Sequence, residues 1–272
     1  MKPSQSLLEV RNLNKTYVQR RWFSGKRFQV KALDNVSLTI PQGRTFALVG
    51  ESGSGKSTLA KCLTMLEEPD SGEIYFEGSN LVVMNRQELR RMRPQMQLIF
   101  QDAATAFNPR FSAAEIIAEP LVIQRRGSAG ERRKRVLELM EQTGLPVDAA
   151  GRPASEFSGG QRQRLAIARA LALEPSCLVL DEALSGLDLP IQRQIVHLLQ
   201  ELQARASLTY LFISHDLGLM AQIADRVAVM HEGKIVEERA PADLFARPQH
   251  AHTQALLAAM PVLENCSAAG DA

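Results

Sequence analysis

Three short runs of apolar residues, none alternating regularly with polar ones, stand out along the chain. They cover residues 46–49, 177–180 and 208–213. Apolar runs of this length are typical of strands buried on both faces, as in a parallel sheet covered by helices. Each run leads into polar residues. We expect these at the carboxyl edge of the sheet, where open α/β sheets bind their ligands.

The segments between these runs have other patterns. Short apolar stretches between residues 7 and 40 predict an antiparallel β layer. Residues 85–150 are predicted to be largely helical, with a helix that ends near Gly144. Residues 241 onward predict a helical appendage with a frayed end. Together the patterns predict an α/β fold with a mostly parallel core sheet.

Composition narrows the class of protein. With 45% hydrophobic and 23% charged residues in 272, the chain is typical of a soluble globular protein, and its net charge of +2 does not favour nucleic acid as a partner. We expect a cytoplasmic protein, because neither a membrane-spanning run nor a signal peptide is recognisable. Cys62 and Cys177 are predicted core residues and Cys266 stands alone in a polar tail, so neither a disulfide nor a cysteine metal site is expected.

A glycine-rich segment follows the first buried run and precedes a predicted helix. It matches G-x-x-x-x-G-K-[ST] and comprises Gly50, Glu51, Ser52, Gly53, Ser54, Gly55, Lys56, Ser57 and Thr58. Glycines let backbone N–H groups turn toward an anion, and the helix adds the positive end of its dipole. In this pattern the lysine reaches the outer phosphates and the serine hydroxyl binds Mg²⁺. Thr58 replaces the third glycine of a dinucleotide-binding loop, which excludes that alternative.

Two adjacent carboxylates, Asp181 and Glu182, end the second buried run. They repel each other and lose solvation at a strand end, and a divalent cation would relieve that cost. We therefore expect Asp181 to bind Mg²⁺ opposite Ser57. Glu182 is then available to orient and polarise an attacking water.

Two further polar residues follow apolar runs. His215 is expected at the same sheet edge, where a γ-phosphate contact is possible, and Gln101 is expected to reach Mg²⁺ or the attacking water. Three other histidines have no comparable position and are interpreted as surface residues: His231, His250 and His252.

A second glycine motif opens a predicted helix. Its residues are Ser158, Gly159, Gly160 and Gln161. Ser158 and Gln161 form a capping box, which alone does not account for two successive glycines at a helix start. An uncovered helix N-terminus with two glycines is a second anion site. Because one nucleotide cannot easily use both sites of one chain, we expect a second chain to share this one.

These motifs together resemble those of the ABC ATPase family over nearly the whole chain. By that resemblance residues 50–58 are the Walker A loop, residues 178–182 are Walker B and residues 158–161 are the signature. The resemblance also matches four single residues to family positions: Gln101 to the Q-loop, Asp188 to the D-loop, His215 to the switch histidine and Tyr17 to the aromatic residue that stacks on adenine.

The resemblance implies a P-loop NTPase fold with an antiparallel β subdomain and a helical signature subdomain. The ATPase domain is expected at residues 1–240, its helical subdomain at about 102–165, and a C-terminal appendage and tail at 241–272. Two subunits are implied to pair head to tail, with ATP and Mg²⁺ between Walker A of one and the signature of the other. No required motif residue is missing, so the site is expected to hydrolyse ATP.

A narrower likeness links residues 107–110, 156–164 and 247–257 to importers of oligopeptides, dipeptides and nickel. The insertion Arg20 to Arg27 resembles a hairpin extension in the second ATPase of such systems, and an ordinary solvated hairpin is the alternative. Ala183 and residues 187–190 depart from the peptide-importer pattern, as in nickel and antimicrobial-peptide members. His252 also departs, since residues 251–252 replace the usual Pro-Tyr.

By resemblance, the chain is expected at the cytoplasmic face of the inner membrane, without nucleic acid. The implied partners are a second ATPase subunit, identical or related, two transmembrane permeases and an extracytoplasmic solute-binding protein. Peptide import is the first interpretation, with nickel, metallophore or antimicrobial-peptide uptake, or export, as alternatives. A soluble ABC protein is the alternative from another class. It is disfavoured because such proteins usually carry two ATPase modules or a long coiled-coil insertion.

Overall fold

A computed structural model describes residues 6–20, 27–101 and 107–259 of the chain. The strands in these ranges are β1 (Ser6–Arg20), β2 (Arg27–Pro41), β3 (Thr45–Val49), β4 (Ser71–Phe76), β5 (Ser79–Asn80), β6 (Met96–Ile99), β7 (Cys177–Asp181), β8 (Thr209–Ser214), β9 (Arg226–His231) and β10 (Lys234–Arg239). The α-helices are α1 (Lys56–Leu63), α2 (Arg86–Met92), α3 (Ala113–Ile123), α4 (Ala129–Gln142), α5 (Gly159–Leu171), α6 (Leu189–Ala206), α7 (Leu217–Ile223), α8 (Pro241–Ala246) and α9 (Ala251–Ala258).

The strands form two sheets. The six-stranded sheet has the order β10-β9-β3-β8-β7-β6, and its pairs are parallel except β10 with β9. The four-stranded sheet has the order β2-β1-β4-β5 and is antiparallel. The predictions of a mostly parallel core sheet and of an antiparallel layer between residues 7 and 40 are both confirmed.

The three apolar runs form the centre of the larger sheet, as β3, β8 and β7. Their side chains alternate between two hydrophobic clusters: Ala47 and Val49 face one, while Phe46 and Leu48 face the other. The same alternation holds along β7 and β8. Because both faces are buried, no polar alternation is needed along these strands, which explains their sequence pattern.

A helical region made of α3, α4 and α5 packs on one face of the larger sheet. Each of its helices begins with a capping box, in which the side chains of the N-cap and N3 residues each accept a hydrogen bond from the other's backbone N–H. The three N-cap residues are Ser112, Ser128 and Ser158. Backbone and hydroxyl hydrogen bonds from Ser112 lower the pKa of Glu115. The boundary of the helical subdomain expected at residue 165 falls inside α5.

Part of the predicted helical segment is instead extended. Residues 96–99 form β6, which pairs in parallel with β7. Met96 and Ile99 are buried, so pairing with the sheet and burial decide the conformation of this short stretch. The insertion between Arg20 and Arg27 falls mainly outside the described residues, although these two residues pair across β1 and β2. Of the two cysteines in the described ranges, both are buried as predicted, whereas Cys266 and the expected frayed end lie outside those ranges.

The C-terminal appendage is helical, as predicted, where the structure describes it. Leu244 of α8 is fully buried, so the appendage packs on the main body. None of the helices in the described ranges is long and apolar enough to cross a membrane.

Replacing Tyr210 with Phe is expected to lower the free energy of unfolding by about 1 kcal/mol, the usual net contribution of a hydrogen bond. The buried Tyr210 hydroxyl donates to the carbonyl oxygen of Leu199 at 2.8 Å. Tyr210→Ala also removes an edge-on ring contact with Phe212 and leaves a cavity, so a loss of about 3–5 kcal/mol is expected.

Urea unfolding followed by circular dichroism measures these differences. Tyr75→Phe is the matched control, because Tyr75 is only half-buried and its contact with the Arg11 guanidinium needs the ring rather than the hydroxyl. An equal loss in Tyr75→Phe and Tyr210→Phe would contradict the assigned role of the Tyr210 hydrogen bond.

Candidate functional site

The carboxyl ends of four parallel strands lie next to one another, in the order β3, β8, β7 and β6. Gly50 follows β3, His215 follows β8, and Gln101 follows β6 after one residue. Asp181 ends β7 and Glu182 follows it. The sheet topology therefore brings four predicted features to one edge: the glycine-rich loop, the acid pair, His215 and Gln101.

The glycine-rich loop passes very close to neighbouring backbone. Gly55 has a φ of +110°, and a Cβ atom there would collide with the carbonyl oxygen of Ala32 on β2. A Cβ atom on Gly50 would collide with the carbonyl oxygen of Met230 on β9. These two glycines are therefore required by packing as well as by the turn. α1 begins directly after the loop, at Lys56.

The Lys56 side chain folds back over its own loop. Its Nζ donates to the carbonyl oxygens of Gly50 at 2.7 Å and Glu51 at 2.8 Å. Burial lowers the pKa of Lys56, while the carboxylates of Glu182 and Asp181 act in the opposite direction. The loop thus holds a buried cation beside backbone oxygens, which an incoming anion can replace.

Ser57 and Asp181 lie together, as predicted. The Ser57 hydroxyl donates to Asp181 Oδ1 at 3.0 Å. Burial raises the pKa of Asp181, the hydrogen bond from Ser57 acts to lower it, and the charge of Glu182 acts to raise it. A hydroxyl and a carboxylate at this separation are oxygen ligands of the kind that Mg²⁺ uses, so the residues present fit such an ion.

Glu182 is held in an uncommon backbone conformation beside His215. Its φ is +52°, in the left-handed region that costs a non-glycine residue about 1–3 kcal/mol. Its backbone N–H donates to the carbonyl oxygen of Ile213 at 2.9 Å. Its Oε2 lies 2.8 Å from His215 Nδ1. Since a carboxylate only accepts, Nδ1 carries the hydrogen in this pair.

A cavity of about 640 Å³ opens over this edge. Its wall includes predicted residues from the loop and from four other segments: Tyr17, Ser52, Gly53, Gly55, Lys56, Ser57, Thr58, Gln101, Glu182 and His215. Gly50, Glu51, Ser54 and Asp181 do not line the cavity: Glu51 is exposed elsewhere on the loop, and the other three are buried. The sequence-predicted residues of a single nucleotide site are therefore brought together.

Tyr17 reaches this wall from the other sheet. Its hydroxyl donates to Glu67 Oε2 at 2.6 Å. Burial raises the pKa of Tyr17, and the hydrogen bond to Glu67 adds to that shift. The ring is thus held in place from its far end. Glu67 has no motif around it, so sequence reasoning missed it.

A second residue missed from the sequence is Gly233, in the turn between β9 and β10. Its N–H donates to the carbonyl oxygen of Ser54 at 2.9 Å, and its own carbonyl oxygen accepts from Asp34 N–H at 2.8 Å. Gly233 therefore ties the glycine-rich loop to the antiparallel sheet. The pair Glu232-Gly233 indicates a turn, but nothing local says what the turn touches.

The second glycine motif lies outside this cavity. Ser158 caps α5, and its N–H donates to Gln161 Oε1 at 2.9 Å, which confirms the capping box. A Cβ atom on Gly160 would lie 2.6 Å from Cγ2 of Ile191 on α6. Asp188 caps that same helix by accepting from Ile191 N–H at 2.9 Å. The motif and Asp188 thus share one packed surface that does not line the cavity.

The interpretation of His231 and His252 as surface residues is wrong. Both are partly buried, and their rings stack with centroids 3.8 Å apart. The reason is that α9 packs against the end of β9, a contact between distant segments. His250 is exposed, as predicted, and its Nδ1 accepts from His252 N–H at 3.2 Å.

The profile of the ABC transporter family matches residues 33–185 of the chain. A putative peptide import ATP-binding protein from Brucella ovis is 49% identical over 255 residues, covering 94% of this chain and 78% of the relative. The dipeptide transport ATP-binding protein DppF of Haemophilus influenzae is 44% identical over 263 residues, covering 97% and 80%.

Two solved structures match the fold of this chain. The ATP-binding cassette MJ0796, in a dimeric post-hydrolysis state bound to ADP and Pi, matches with a TM-score of 0.76 and 31% identity, covering 86% of this chain and 98% of that one. The cbiO1 protein of Clostridium perfringens, part of the transporter complex cbiONQ, matches with a TM-score of 0.76 and 29% identity, covering 89% and 91%. The chain belongs to the ABC transporter family and has the fold of its ATPase subunits.

Proposed function

We propose that this chain binds and hydrolyses ATP to drive an importer of oligopeptides or dipeptides. The observation that carries the proposal is the convergence of the loop lysine, the Ser57–Asp181 pair and the Glu182–His215 pair on one cavity. The names of relatives at 43–49% identity support the peptide assignment.

ATP is proposed to bind in this cavity as follows. Its phosphates lie on the backbone N–H groups of residues 50–58, at the positive end of α1. Lys56 exchanges its carbonyl partners for the outer phosphates, since a charge-assisted hydrogen bond to phosphate is the stronger contact. The adenine stacks on Tyr17, whose ring is anchored through Glu67.

Ser57 and Asp181 are the proposed ligands of Mg²⁺, and Gln101 is a third. When bound, the ion neutralises charge that develops on the phosphate oxygens. Asp181 is buried with a raised pKa, so a nearby positive charge favours the carboxylate form that binds the metal. Gln101 is exposed at the cavity wall, free to approach from the other side.

Glu182 is the proposed general base. Its carboxylate orients a water toward the γ-phosphate and accepts the proton as the water attacks. The Nδ1–H of His215 holds that carboxylate in place, and the largely exposed imidazole ring is free to contact the γ-phosphate with its other nitrogen. His215 thus positions Glu182 and senses the phosphate that is cleaved.

The signature motif is proposed to serve the nucleotide of a second ATPase subunit. Residues 158–161 and Asp188 lie together outside the cavity of their own chain. Gly159 is exposed beside the N-terminus of α5, where backbone N–H groups attract phosphate. Each complete site therefore combines the cavity of one chain with the α5 terminus of its partner, which is either identical or related.

An apolar groove is the proposed contact with a transmembrane permease. It has a volume of about 330 Å³ and lies between β6 and helices α3 and α5. Phe100 and Ile123 line it and are 38% and 56% exposed. β6 leads from this groove to Gln101, so a permease segment seated there is connected directly to the nucleotide site.

The complete system is proposed to include two permeases and an extracytoplasmic solute-binding protein, with this chain at the cytoplasmic face of the membrane. We assign residues 1–240 to the ATPase domain, with a helical subdomain at about 102–165, and residues 241–272 to an appendage and tail. Nickel, metallophore or antimicrobial-peptide uptake is the alternative function, and the departures at Ala183 and residues 187–190 favour it.

Replacing Glu182 with Gln is expected to preserve ATP binding and to lower turnover by about 10²–10⁴-fold, the usual contribution of a general base. Phosphate release by the assembled transporter measures turnover, and displacement of a fluorescent nucleotide from the purified chain measures binding. Glu232→Gln is the matched control, because Glu232 lines the same cavity and carries no proposed role. Undiminished hydrolysis in Glu182→Gln would contradict the assignment of Glu182 as the general base.

Replacing Gly159 with Glu is expected to abolish hydrolysis in the assembled transporter and to leave ATP binding by the isolated chain unchanged. A Cβ atom there meets only Leu187, at an ordinary 3.6 Å, so the new carboxylate repels the partner's nucleotide without disturbing the fold. Gly130→Glu is the control, since Gly130 is exposed in the first turn of α4. Weaker ATP binding by isolated Gly159→Glu would place the motif in its own chain's site.

The transported solute is tested by uptake in a strain that lacks this chain. Loss of labelled dipeptide and longer-peptide uptake is expected, with recovery when the wild-type chain is restored and none with Glu182→Gln. Retained peptide uptake with loss of nickel uptake would favour nickel import over peptide import.

A further inference from the structure

Three possible metal ligands meet beside the nucleotide cavity. Glu51 belongs to the glycine-rich loop, His231 ends β9 and His252 lies in the first turn of α9. One ligating atom of each lies within 4.8 Å of those of the other two. The two imidazole rings are stacked with an angle of 26° between their planes.

His252 has an unmet hydrogen-bonding capacity at this place. Its Nε2 is buried and has no hydrogen-bond partner among the described residues. A buried polar atom without a partner is costly and calls for a physical account. Burial lowers the pKa of His252, and the neighbouring His231 adds to that effect.

The position of His252 is fixed by a buried anchor. Glu237 on β10 is 8% exposed, and its carboxylate accepts from the backbone N–H groups of Gln249 and His250, each at 3.0 Å. Burial acts to raise the pKa of Glu237, but these backbone hydrogen bonds and the nearby groups of Thr253 and Arg239 together outweigh it, and the pKa is lowered. The charged anchor therefore holds the start of α9 against the sheet, and His252 with it.

We propose that Glu51, His231 and His252 form a binding site for a zinc-class transition-metal ion. Two imidazoles and one carboxylate, with a fourth position open, form a common zinc ligand set. In such a set the bonds are about 2.0–2.2 Å long, so two ligand atoms on one ion lie at most about 4.4 Å apart. The ligating atoms here lie within 4.8 Å of one another, and side-chain rotation would bring them into range. Imidazole ligands suit zinc, copper and nickel, whereas Mg²⁺ takes oxygen ligands. The site is thus chemically distinct from the Ser57–Asp181 pair.

An ion bound here connects the nucleotide loop to the C-terminal appendage. The Glu51 carbonyl oxygen already accepts from Lys56 Nζ at 2.8 Å and from Ser54 N–H at 3.2 Å. Fixing the Glu51 side chain therefore restrains the same residue whose backbone holds the lysine. Metal and nucleotide share this loop, so any change that one makes in the affinity for the other is matched by the same factor in return.

The test is titration of the full chain with Zn²⁺ against a chromophoric chelator, and with Co²⁺ followed by visible absorption. The wild type is expected to bind one more equivalent than His252→Phe, which keeps a stacked ring but no ligand. His231→Asn is expected to weaken that equivalent by more than about 100-fold, because even outer-shell changes cost about 10–100-fold. His197→Gln is the matched control, since the His197 side chain is 73% exposed on α6 and outside the cluster.

Thermal unfolding gives a second readout. Zn²⁺ is expected to raise the midpoint of the wild type and of His197→Gln, and to leave that of His252→Phe and His231→Asn unchanged. Circular dichroism without metal establishes that each variant is folded. Equal Zn²⁺ stoichiometry in wild type and both folded cluster variants would overturn the proposal, as would a wild type that binds no Zn²⁺.

Discussion

The parallel register of β3, β8 and β7 is the constraint on which the candidate site depends. It sets Val49 beside Ser214 and Asp181 beside Ile213, so the loop, the acid pair and His215 emerge together. A slip of one residue would turn every side chain to the opposite face. Both faces are packed in separate hydrophobic clusters, so neither tolerates such a slip. Packing on the two faces therefore fixes the register, and with it the positions of the polar residues at the strand ends.

Burial of charge at this edge prepares it for a charged ligand. Desolvation lowers the pKa of Lys56 and raises that of Asp181, so both groups lose part of the stability of their ionised forms. A polyphosphate and a divalent cation supply the opposite charges to each. The same ligands therefore restore both ionised forms together, and a site that is electrostatically costly alone becomes favourable when filled.

The sequence predicted what depends on short spacing. The loop, the acid pair and the capping box are each encoded within a few residues. For the loop and the acid pair, the preceding strand also indicates the edge at which they emerge. Contacts between distant segments could not be read in this way: Tyr17 with Glu67, Ser54 with Gly233, and His231 with His252 each join separate elements. The strand β6 was missed for the same reason, since its four residues become extended by pairing with β7.

The attachment of the C-terminal appendage has a consequence for how the family diverges. Glu237 grips α9 through the backbone N–H groups of residues 249 and 250, whose side chains are both exposed. Backbone N–H groups are present in every residue except proline. Most side chains of the appendage can therefore change while one carboxylate keeps it docked. Related ATPase subunits can acquire different regulatory contacts there without any change to the ATPase site.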